Sequence, residues 1–210
     1  MTARDPLRTF VNRLGRRPHS AEVFNPYRQK RLRENLYHSL SALQTLGRPP
    51  VMLVGEALGF KGGKLTGLPF SSARLLRDPP PHPFLQQLAP QLDIRHDDTE
   101  NTAQMVWAYL TQANVTPLCW NAFPFHPHPI DNPSGNRAPR KPEITEGITH
   151  LRALHDLFEP YHIVGVGRAG TLCAQTAFPN HPVTRVRHPS YGGKSEFVAG
   201  MDRVLGRADG

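Results

Sequence analysis

A carboxylate and an aromatic ring follow the first strongly apolar run of the chain. The run Val51–Val54 is bounded by prolines and by Gly55, a pattern typical of a strand buried on both faces. Glu56 comes next, and Phe70 lies in the glycine-rich stretch beyond, where the backbone can approach a ligand closely. These residues fit a pocket in which the phenyl ring stacks on a flat substrate. They fit equally a phosphate-binding loop, or a plain turn with Phe70 in the core.

Two further polar segments follow apolar runs in the same way. Asn121 ends the run that begins at Pro117, and its carboxamide can donate and accept hydrogen bonds at once, as reading the edge of a base requires. The alternative is an asparagine that caps a turn. His188 follows the run Val183–Val186 and could stabilise negative charge or exchange a proton. Ser190 could hold a phosphate oxygen through its hydroxyl and amide.

The elements that must position these residues alternate between strand and helix patterns. This order predicts an α/β fold of three layers, a three-layer α/β/α sandwich with a central, mostly parallel four-stranded sheet. Ligands bind such sheets beyond the carboxyl ends of the strands, so the polar segments are expected to meet there. The predicted strands are Val51–Val54, Pro117–Asn121, His162–Val166 and Val183–Val186. The predicted helices are Asn25–Leu46, Phe84–Leu92, Asn101–Gln112, Pro142–Phe158, Ala169–Ala177 and Ser195–Leu205, and the stretch Phe123–Arg140 is predicted to be a long loop without a regular element.

The composition favours an intracellular protein that binds a polyanion. The 210 residues include 25 Lys and Arg against 17 Asp and Glu, which gives a formal charge of +8. Nucleic acid is the commonest partner of such a chain, although a basic surface can also serve solubility alone. Cys119 and Cys173 lie far apart in apolar stretches, as reduced, buried thiols do. No apolar run approaches the roughly 20 residues of a membrane span and no signal-peptide core is present, so a cytoplasmic location is expected.

Two glycine motifs and the histidines are disfavoured as the main site. Gly165–Gly170 has the spacing of a dinucleotide fingerprint, but no acidic residue follows about 20 positions later, which favours tight strand-to-helix packing instead. Gly62–Lys64 is followed by Leu65 where a phosphate loop needs Ser or Thr for magnesium. The spacing of His126 and His128 with the cysteines matches no common zinc site, and no metal is predicted.

Four segments form a more specific pattern together than any of them alone: Gly55–Ala57, Gly67–Phe70, Asn121 and His188–Ser190. This arrangement resembles the uracil-DNA glycosylase superfamily, in which three loops at the strand ends form the pocket for a flipped base. The spacing of the first two segments is similar to the single-strand-selective monofunctional branch. The glutamate after the first glycine is more like the thermostable iron–sulfur branch.

The resemblance covers about Val51 to Ser190 and includes Asn136–Pro139 ahead of Glu143, which again looks like the thermostable branch. The chain also departs from the family. It has two cysteines in all where an iron–sulfur cluster needs four ligands, so no cluster and no other cofactor are predicted. Ala57 stands where other branches carry Asp or Asn, and Tyr191 stands in place of the familiar proline.

The resemblance implies a role for each pocket residue. Phe70 would stack on the extruded base, Asn121 would read its polar edge, and His188 would stabilise the anion that forms on the base oxygen. Glu56 would orient water and offset the positive charge of the sugar. The predicted catalytic residues are Glu56 and His188, and the predicted substrate-binding residues are Gly55, Ala57, Phe70 and Asn121.

The last loop is expected to contact DNA. Tyr191 is the candidate wedge that fills the space left by the flipped base, and the glycines after it allow close approach of the backbone to phosphates. A solvent-exposed glycine turn is the alternative. The predicted DNA-binding residues are Arg137, Ser190, Tyr191, Gly192 and Lys194.

The resemblance therefore implies a monofunctional DNA glycosylase that hydrolyses the N-glycosidic bond of uracil, or a related deaminated base, in base excision repair. The alternative is a catalytically weak or silent DNA-binding homologue that holds flipped or single-stranded bases. The chain is expected to act as a monomer with one domain over residues 1–210, on which residues 1–47 pack as an N-terminal helical extension. Its Arg-rich segment Met1–Arg17 is interpreted as an amphipathic leading helix rather than an organelle transit peptide.

Overall fold

The computed structural model describes residues 5–207 of the chain. Residues 1–4 of the predicted leading helix and residues 208–210 of the predicted domain lie outside that range. The helices are α1 (Pro6–Arg16), α2 (Lys30–Thr45), α3 (Gly63–Thr66), α4 (Ala73–Arg77), α5 (Pro83–Leu88), α6 (Asn101–Ala113), α7 (Lys141–Phe158), α8 (Gly167–Ala177) and α9 (Lys194–Val204). The strands are β1 (Val23–Phe24), β2 (Val51–Ala57), β3 (Leu118–Phe123), β4 (His126–Pro127), β5 (His162–Val166) and β6 (Val183–Val186).

Four parallel strands form the central sheet in the order β3-β2-β5-β6. The apolar run Val51–Val54 in β2 is fully buried, as expected for an inner strand covered on both faces. The predicted α/β fold is confirmed. The structure extends β2 and β3 beyond their predicted ends to Ala57 and Phe123, because the two strands continue to pair there, with Gly55 opposite Asn121.

Helices enclose the sheet and lie close to it where small residues allow. α8 packs against all four strands of the sheet, and α7 packs against β3 and α8. A Cβ atom on Gly170 would lie 1.9 Å from the carbonyl oxygen of Val54, so only glycine lets α8 approach β2 so closely. The interpretation of Gly165–Gly170 as a packing motif is confirmed. In the described part of the chain, no helix combines the length and apolarity needed to cross a membrane.

The N-terminal helix α1 contributes to the core around the sheet. Leu7, Phe10, Val11 and Leu14 form its apolar stripe and are almost completely buried. The ring of Phe10 lies 5.6 Å from that of Trp120 in β3, centroid to centroid. Burial of several large apolar side chains stabilises the fold by about 1.5–3 kcal/mol for each of them. α1 therefore packs on the same core as the strands that carry the polar segments.

The structure corrects the predictions for α2, for the helix Phe84–Leu92, which ends at Leu88 and is followed by a 3-10 turn, and for the stretch Phe123–Arg140. The helix predicted from Asn25 begins at Lys30 instead, because the Asn25 side chain accepts a hydrogen bond from Tyr27 N–H at 2.9 Å and holds a separate 3-10 turn. The same side chain donates to the carbonyl oxygen of Leu14 at 2.8 Å. The stretch Phe123–Arg140 does contain a regular element, since β4 pairs antiparallel with β1. β4 has only two residues, and its partner β1 lies about 100 positions earlier in the chain, so no local sequence pattern reveals the pairing.

Candidate functional site

A small cavity, here called the inner pocket, lies at the carboxyl ends of β2 and β3. Its volume is about 100 Å³, and the elements around it are the ends of both strands, the loop after β2, the start of α6 and the loop after β6. The side chains used below that line it are Glu56, Phe70, Glu100, Asn121 and His188. The structure therefore brings together the polar residues of the three predicted loops.

Gly55 forms the floor between the ring of Phe70 and the amide of Asn121. A Cβ atom at position 55 would lie 2.5 Å from Asn121 Oδ1 and 2.7 Å from Phe70 Cζ, so any larger residue would displace one of them. Phe70 has a positive φ of 49°, and its carbonyl oxygen accepts a hydrogen bond from Trp107 Nε1 at 2.9 Å. The phenyl ring and the carboxamide thus converge on one narrow space.

Asn121 is almost fully buried, and its carboxamide opens onto the inner pocket instead of bonding to another described residue. The residue is 4% exposed, and its side chain forms no hydrogen bond with any residue between 5 and 207. Buried polar groups are nearly always paired, so an unpaired amide that lines a cavity is suited to bind a ligand there. With both a donor and an acceptor, it matches a planar molecule that presents a carbonyl beside an N–H group.

His188 is half-buried and lines the inner pocket. Its Nδ1 accepts a hydrogen bond from Ser190 N–H at 3.3 Å, so the neutral ring carries its proton on Nε2. Burial lowers the pKa of His188, the charge of Glu100 opposes that effect, and Arg187 adds to it. The net shift favours the neutral imidazole, which donates a hydrogen bond from Nε2.

Glu56 lies within β2, whereas the sequence placed it in the loop that follows. Its side chain is exposed to the cavity side, and burial against the surrounding walls raises the pKa of its carboxyl. No ion pair to Glu56 exists within residues 5–207. Ala57, next to it, pairs in register with Phe123 and also lines the inner pocket. A carboxylate without a cation beside it is free to bind water or to face a positive charge.

The inner pocket opens into a larger cleft, here called the outer groove. This cleft has a volume of about 730 Å³, and Glu56 and His188 line both spaces. Tyr191 lies on the rim of the outer groove and is 98% exposed, with a positive φ of 53°. Gly192 after it also has a positive φ, of 78°, and Lys194 begins α9. An extended polymer lying in the outer groove could place one unit in the inner pocket.

Comparison with known proteins identifies the family. A family model described as the uracil DNA glycosylase superfamily matches residues 44–199. This chain belongs to the uracil-DNA glycosylase superfamily. The crystal structure of wild-type SMUG2 from Pedobacter heparinus is similar in fold, with a TM-score of 0.63 at 10% identity, over 95% of this chain and 96% of that chain. No curated protein matches the sequence.

In this uracil-DNA glycosylase superfamily member, two of the predicted DNA-binding side chains, Ser190 and Arg137, already form hydrogen bonds within the protein. The Ser190 hydroxyl forms a hydrogen bond with Thr102 Oγ1 at 2.9 Å. The Arg137 guanidinium is mostly buried and binds both carboxylate oxygens of Glu143, at 2.7 and 2.8 Å. It also donates to the carbonyl oxygens of Glu22, His128 and Ala138. All five of its N–H groups are thus used, and Arg137 holds the loop before α7 in place. Its contact with DNA stays a prediction.

The cysteines and histidines of this superfamily member form no metal site in the described residues. No group of three or more His, Cys, Asp or Glu side chains in residues 5–207 is arranged to hold an ion. Burial raises the pKa of both Cys119 and Cys173 to about 12, so neither thiol ionises readily at neutral pH. His126 is fully buried and its Nδ1 lies 2.8 Å from the carbonyl oxygen of Leu58.

Sequence reasoning missed the contribution of the segment that leads into α6. Glu100 and Thr102 line both the inner pocket and the outer groove of this superfamily member. No strand precedes Glu100, so the rule that points to strand ends could not find it. The one available signal was an acidic residue directly ahead of a helical pattern, which is typical of a helix cap.

Proposed function

We propose that the protein is a monofunctional DNA glycosylase that hydrolyses the N-glycosidic bond of uracil, or of a related deaminated base, in DNA. The observation that supports this most is the convergence of Phe70, Asn121 and His188 on the inner pocket beside Gly55. A stacking ring, an amide that reads a base edge and a hydrogen-bond donor are what an extruded base requires.

The departing base is stabilised by groups already in place. When the bond between the sugar and the base breaks, its electron pair moves onto the base, and negative charge develops on a base oxygen. His188 donates a hydrogen bond from Nε2 to that oxygen, while Asn121 pairs with the neighbouring polar edge. A neutral imidazole suits this role, because its depressed pKa leaves the proton on Nε2 throughout the reaction.

Glu56 acts on the sugar side of the bond. It orients a water molecule whose oxygen bonds to the anomeric carbon as the base departs, and it accepts the proton which that water releases. The raised pKa of the Glu56 carboxyl makes it a better base than an exposed glutamate. Since position 57 is alanine, Glu56 supplies the carboxylate at this end of β2.

Tyr191 and the glycines after it would hold the distorted DNA. Extrusion of a base costs a few kcal/mol in lost stacking, and an inserted aromatic ring returns roughly 1–3 kcal/mol. Tyr191 is almost fully exposed on the rim of the outer groove, where it can enter the duplex. The formal charge of +8 draws the protein towards the phosphate backbone.

The test is cleavage of labelled oligonucleotides that carry a single uracil, both single- and double-stranded, with alkali to reveal abasic sites. Wild type is expected to cut, and His188→Ala is expected to lose about 10²–10³ in rate. His181→Ala serves as the matched control, since His181 is exposed and packs near Phe178, away from the inner pocket. Hypoxanthine and xanthine substrates extend the same assay.

The outcome separates hydrolysis from binding. If wild type binds DNA with a flipped or unpaired base but leaves every deaminated base intact, the glycosylase proposal is wrong and a binding homologue is favoured. If His188→Ala and Asn121→Ala both turn over near the wild-type rate, the inner pocket is not the site of the reaction.

A further inference from the structure

Glu100 places a second carboxylate at the inner pocket. Within residues 5–207, the carboxylates that line this cavity belong to Glu56 and Glu100, and both also line the outer groove. Glu56 comes from the end of β2, whereas Glu100 comes from the segment that leads into α6. The two negative charges therefore approach the same space from different elements.

The carboxylate of Glu100 is held in one position by the backbone. Its Oε1 accepts a hydrogen bond from Thr102 N–H at 3.1 Å and its Oε2 accepts one from Ala103 N–H at 2.8 Å, which makes Glu100 the N-cap of α6. Each oxygen keeps a further lone pair for another partner. A negative charge at a helix N-terminus is also favoured by the helix dipole. This charge is therefore preorganised, in contrast to that of Glu56.

Glu100 also lies between two of the loops that form the site. Its Cγ would be 3.2 Å from a Cβ atom at Gly62, so the side chain packs on the glycine-rich loop after β2. Thr102, in the first turn of α6, bonds to the Ser190 hydroxyl at 2.9 Å, and Ser190 N–H bonds to His188 Nδ1. The N-terminus of α6 thus joins the first and third loops.

We infer that Glu100 is a catalytic carboxylate which faces the deoxyribose of the flipped nucleotide and stabilises the positive charge that develops on it. This inference rests on the proposed glycosylase function and divides the sugar side of the reaction between two residues. Glu56 orients the water and takes its proton, while the Glu100 carboxylate, fixed by two backbone N–H groups, stabilises the cationic sugar. A fixed charge in a confined site stabilises a transition state more than a mobile one, because it needs no reorganisation.

The influence of Glu100 on His188 supports this position. The negative charge of Glu100 raises the pKa of His188 against the effect of burial, as a nearby carboxylate does. Glu100 and His188 also line the same cavity, so the charge of Glu100 acts across the space proposed for the flipped nucleotide.

Substitution by serine separates the charge from the helix cap. Ser is among the best N-cap residues, so Glu100→Ser removes the carboxylate while it keeps a side-chain acceptor for the first turn of α6. Asp156→Asn is the charge-matched control, because Asp156 is exposed, with 79% side-chain exposure, and lies in α7. Glu56→Gln reports on the other carboxylate.

The deciding measurement is DNA affinity, which needs no turnover. One duplex carries a pyrrolidine abasic analogue, whose protonated amine imitates the cationic sugar, and the other carries neutral tetrahydrofuran. Wild type and Asp156→Asn are expected to prefer the cationic analogue, and Glu100→Ser is expected to lose about tenfold of that preference, as for other close charge pairs. An unchanged preference in Glu100→Ser, or its loss in Glu56→Gln alone, overturns the inference.

Turnover distinguishes this failure from failure of the proposed function. If wild type cleaves uracil, kcat of Glu100→Ser is expected to fall by about 10² with an unaltered melting temperature and little change in KM. If Glu100→Ser cleaves like wild type, the inference fails and Glu100 is only a helix cap. The glycosylase proposal then still stands. If wild type cleaves no deaminated base but prefers the cationic analogue through Glu100, the glycosylase proposal and the catalytic role of Glu100 both fail, and Glu100 is only a binding group for a cationic sugar analogue. If it neither cleaves nor prefers that analogue, both fail.

Discussion

The inner pocket and the rim of the outer groove are built in different ways. In the inner pocket, strand register sets Gly55 opposite Asn121, and Asn121 is 4% exposed. On the rim, Tyr191 is 98% exposed and is followed by a glycine with a positive φ. The amide proposed to read the base is therefore held by the sheet, while the ring proposed to enter DNA is carried on a loop. Preorganisation matters most where charge develops, and adaptability matters most where a polymer must be deformed.

The largest expected effect comes from the amide in the inner pocket. Asn121→Ala should reduce uracil cleavage by about 10²–10³, because the base edge loses its paired donor and acceptor. Single-turnover assays measure this, and circular dichroism checks that the protein remains folded. Asn114→Ala is the control, since Asn114 ends α6 outside the pocket. Activity within a few-fold of wild type in Asn121→Ala would show that the sheet does not position a base reader.

A methyl group on the pocket floor should have nearly as large an effect. Gly55→Ala places a Cβ atom 2.5 Å from Asn121 Oδ1 and 2.7 Å from Phe70 Cζ, which displaces one side of the pocket. Cleavage is expected to fall by about 10², the usual cost of a displacement near 1 Å at a reacting centre. Gly59→Ala adds the same group on another part of the pocket wall, where no atom lies within 4 Å, and it should lose far less because it displaces neither Phe70 nor Asn121. Equal rates in the two variants would contradict a tightly fitted pocket.

A substitution on the rim should have a smaller effect, and it should change DNA affinity more than the cleavage rate. Tyr191→Ala is expected to weaken binding to duplex with an abasic site by about tenfold. This is the loss expected when one stacking contact, worth roughly 1–3 kcal/mol, is removed. Fluorescence anisotropy measures the affinity. Tyr161→Ala is the matched control, since Tyr161 is also an exposed tyrosine, at 62%, and lies outside the groove. If both variants bind like wild type, the rim has no wedge.

The pH dependence of the rate should identify Glu56 as the general base. Its pKa is raised above 4.5 by burial, so the rate should fall as pH drops through that raised value, and the fall should begin at higher pH than for an exposed glutamate. Glu56→Gln should flatten this acid limb and lower the rate by about 10² at neutral pH. A pH–rate profile of each protein tests this. An acid limb retained in Glu56→Gln would assign it to another group.

The smallest effect is on stability. Because the folded state raises the pKa of Glu56 above its unfolded value, the folded protein binds that proton more tightly and is penalised as pH rises through the folded pKa. Glu56→Gln should therefore raise Tm only slightly at pH 7, because solvent screens much of the charge of this exposed side chain, with no gain below the unfolded pKa. Calorimetry at both pH values measures the difference, and a Tm gain that is independent of pH would exclude the charge as its cause.

Much of the sheet and part of the site could be predicted from local patterns. The run Val51–Val54 is apolar because both faces of β2 are covered, so a short window is enough to identify the strand. Asn121 and His188 were found because each follows such a run. The start of α2 was placed wrongly at Asn25, since helical spacing alone does not show that this side chain closes a separate turn with Tyr27.

The sequence by itself determined which residue types stand at the ends of the strands, because burial selects apolar runs and the chain must turn after them. The tertiary structure alone decided that Arg137 forms an ion pair with Glu143, and that Glu100 lies with Glu56 at the inner pocket. Both outcomes depend on contacts between segments far apart in sequence, whose geometry follows from the packing of α6 and α7 around the sheet. No local pattern specifies such distances, since they arise only when the whole core has formed.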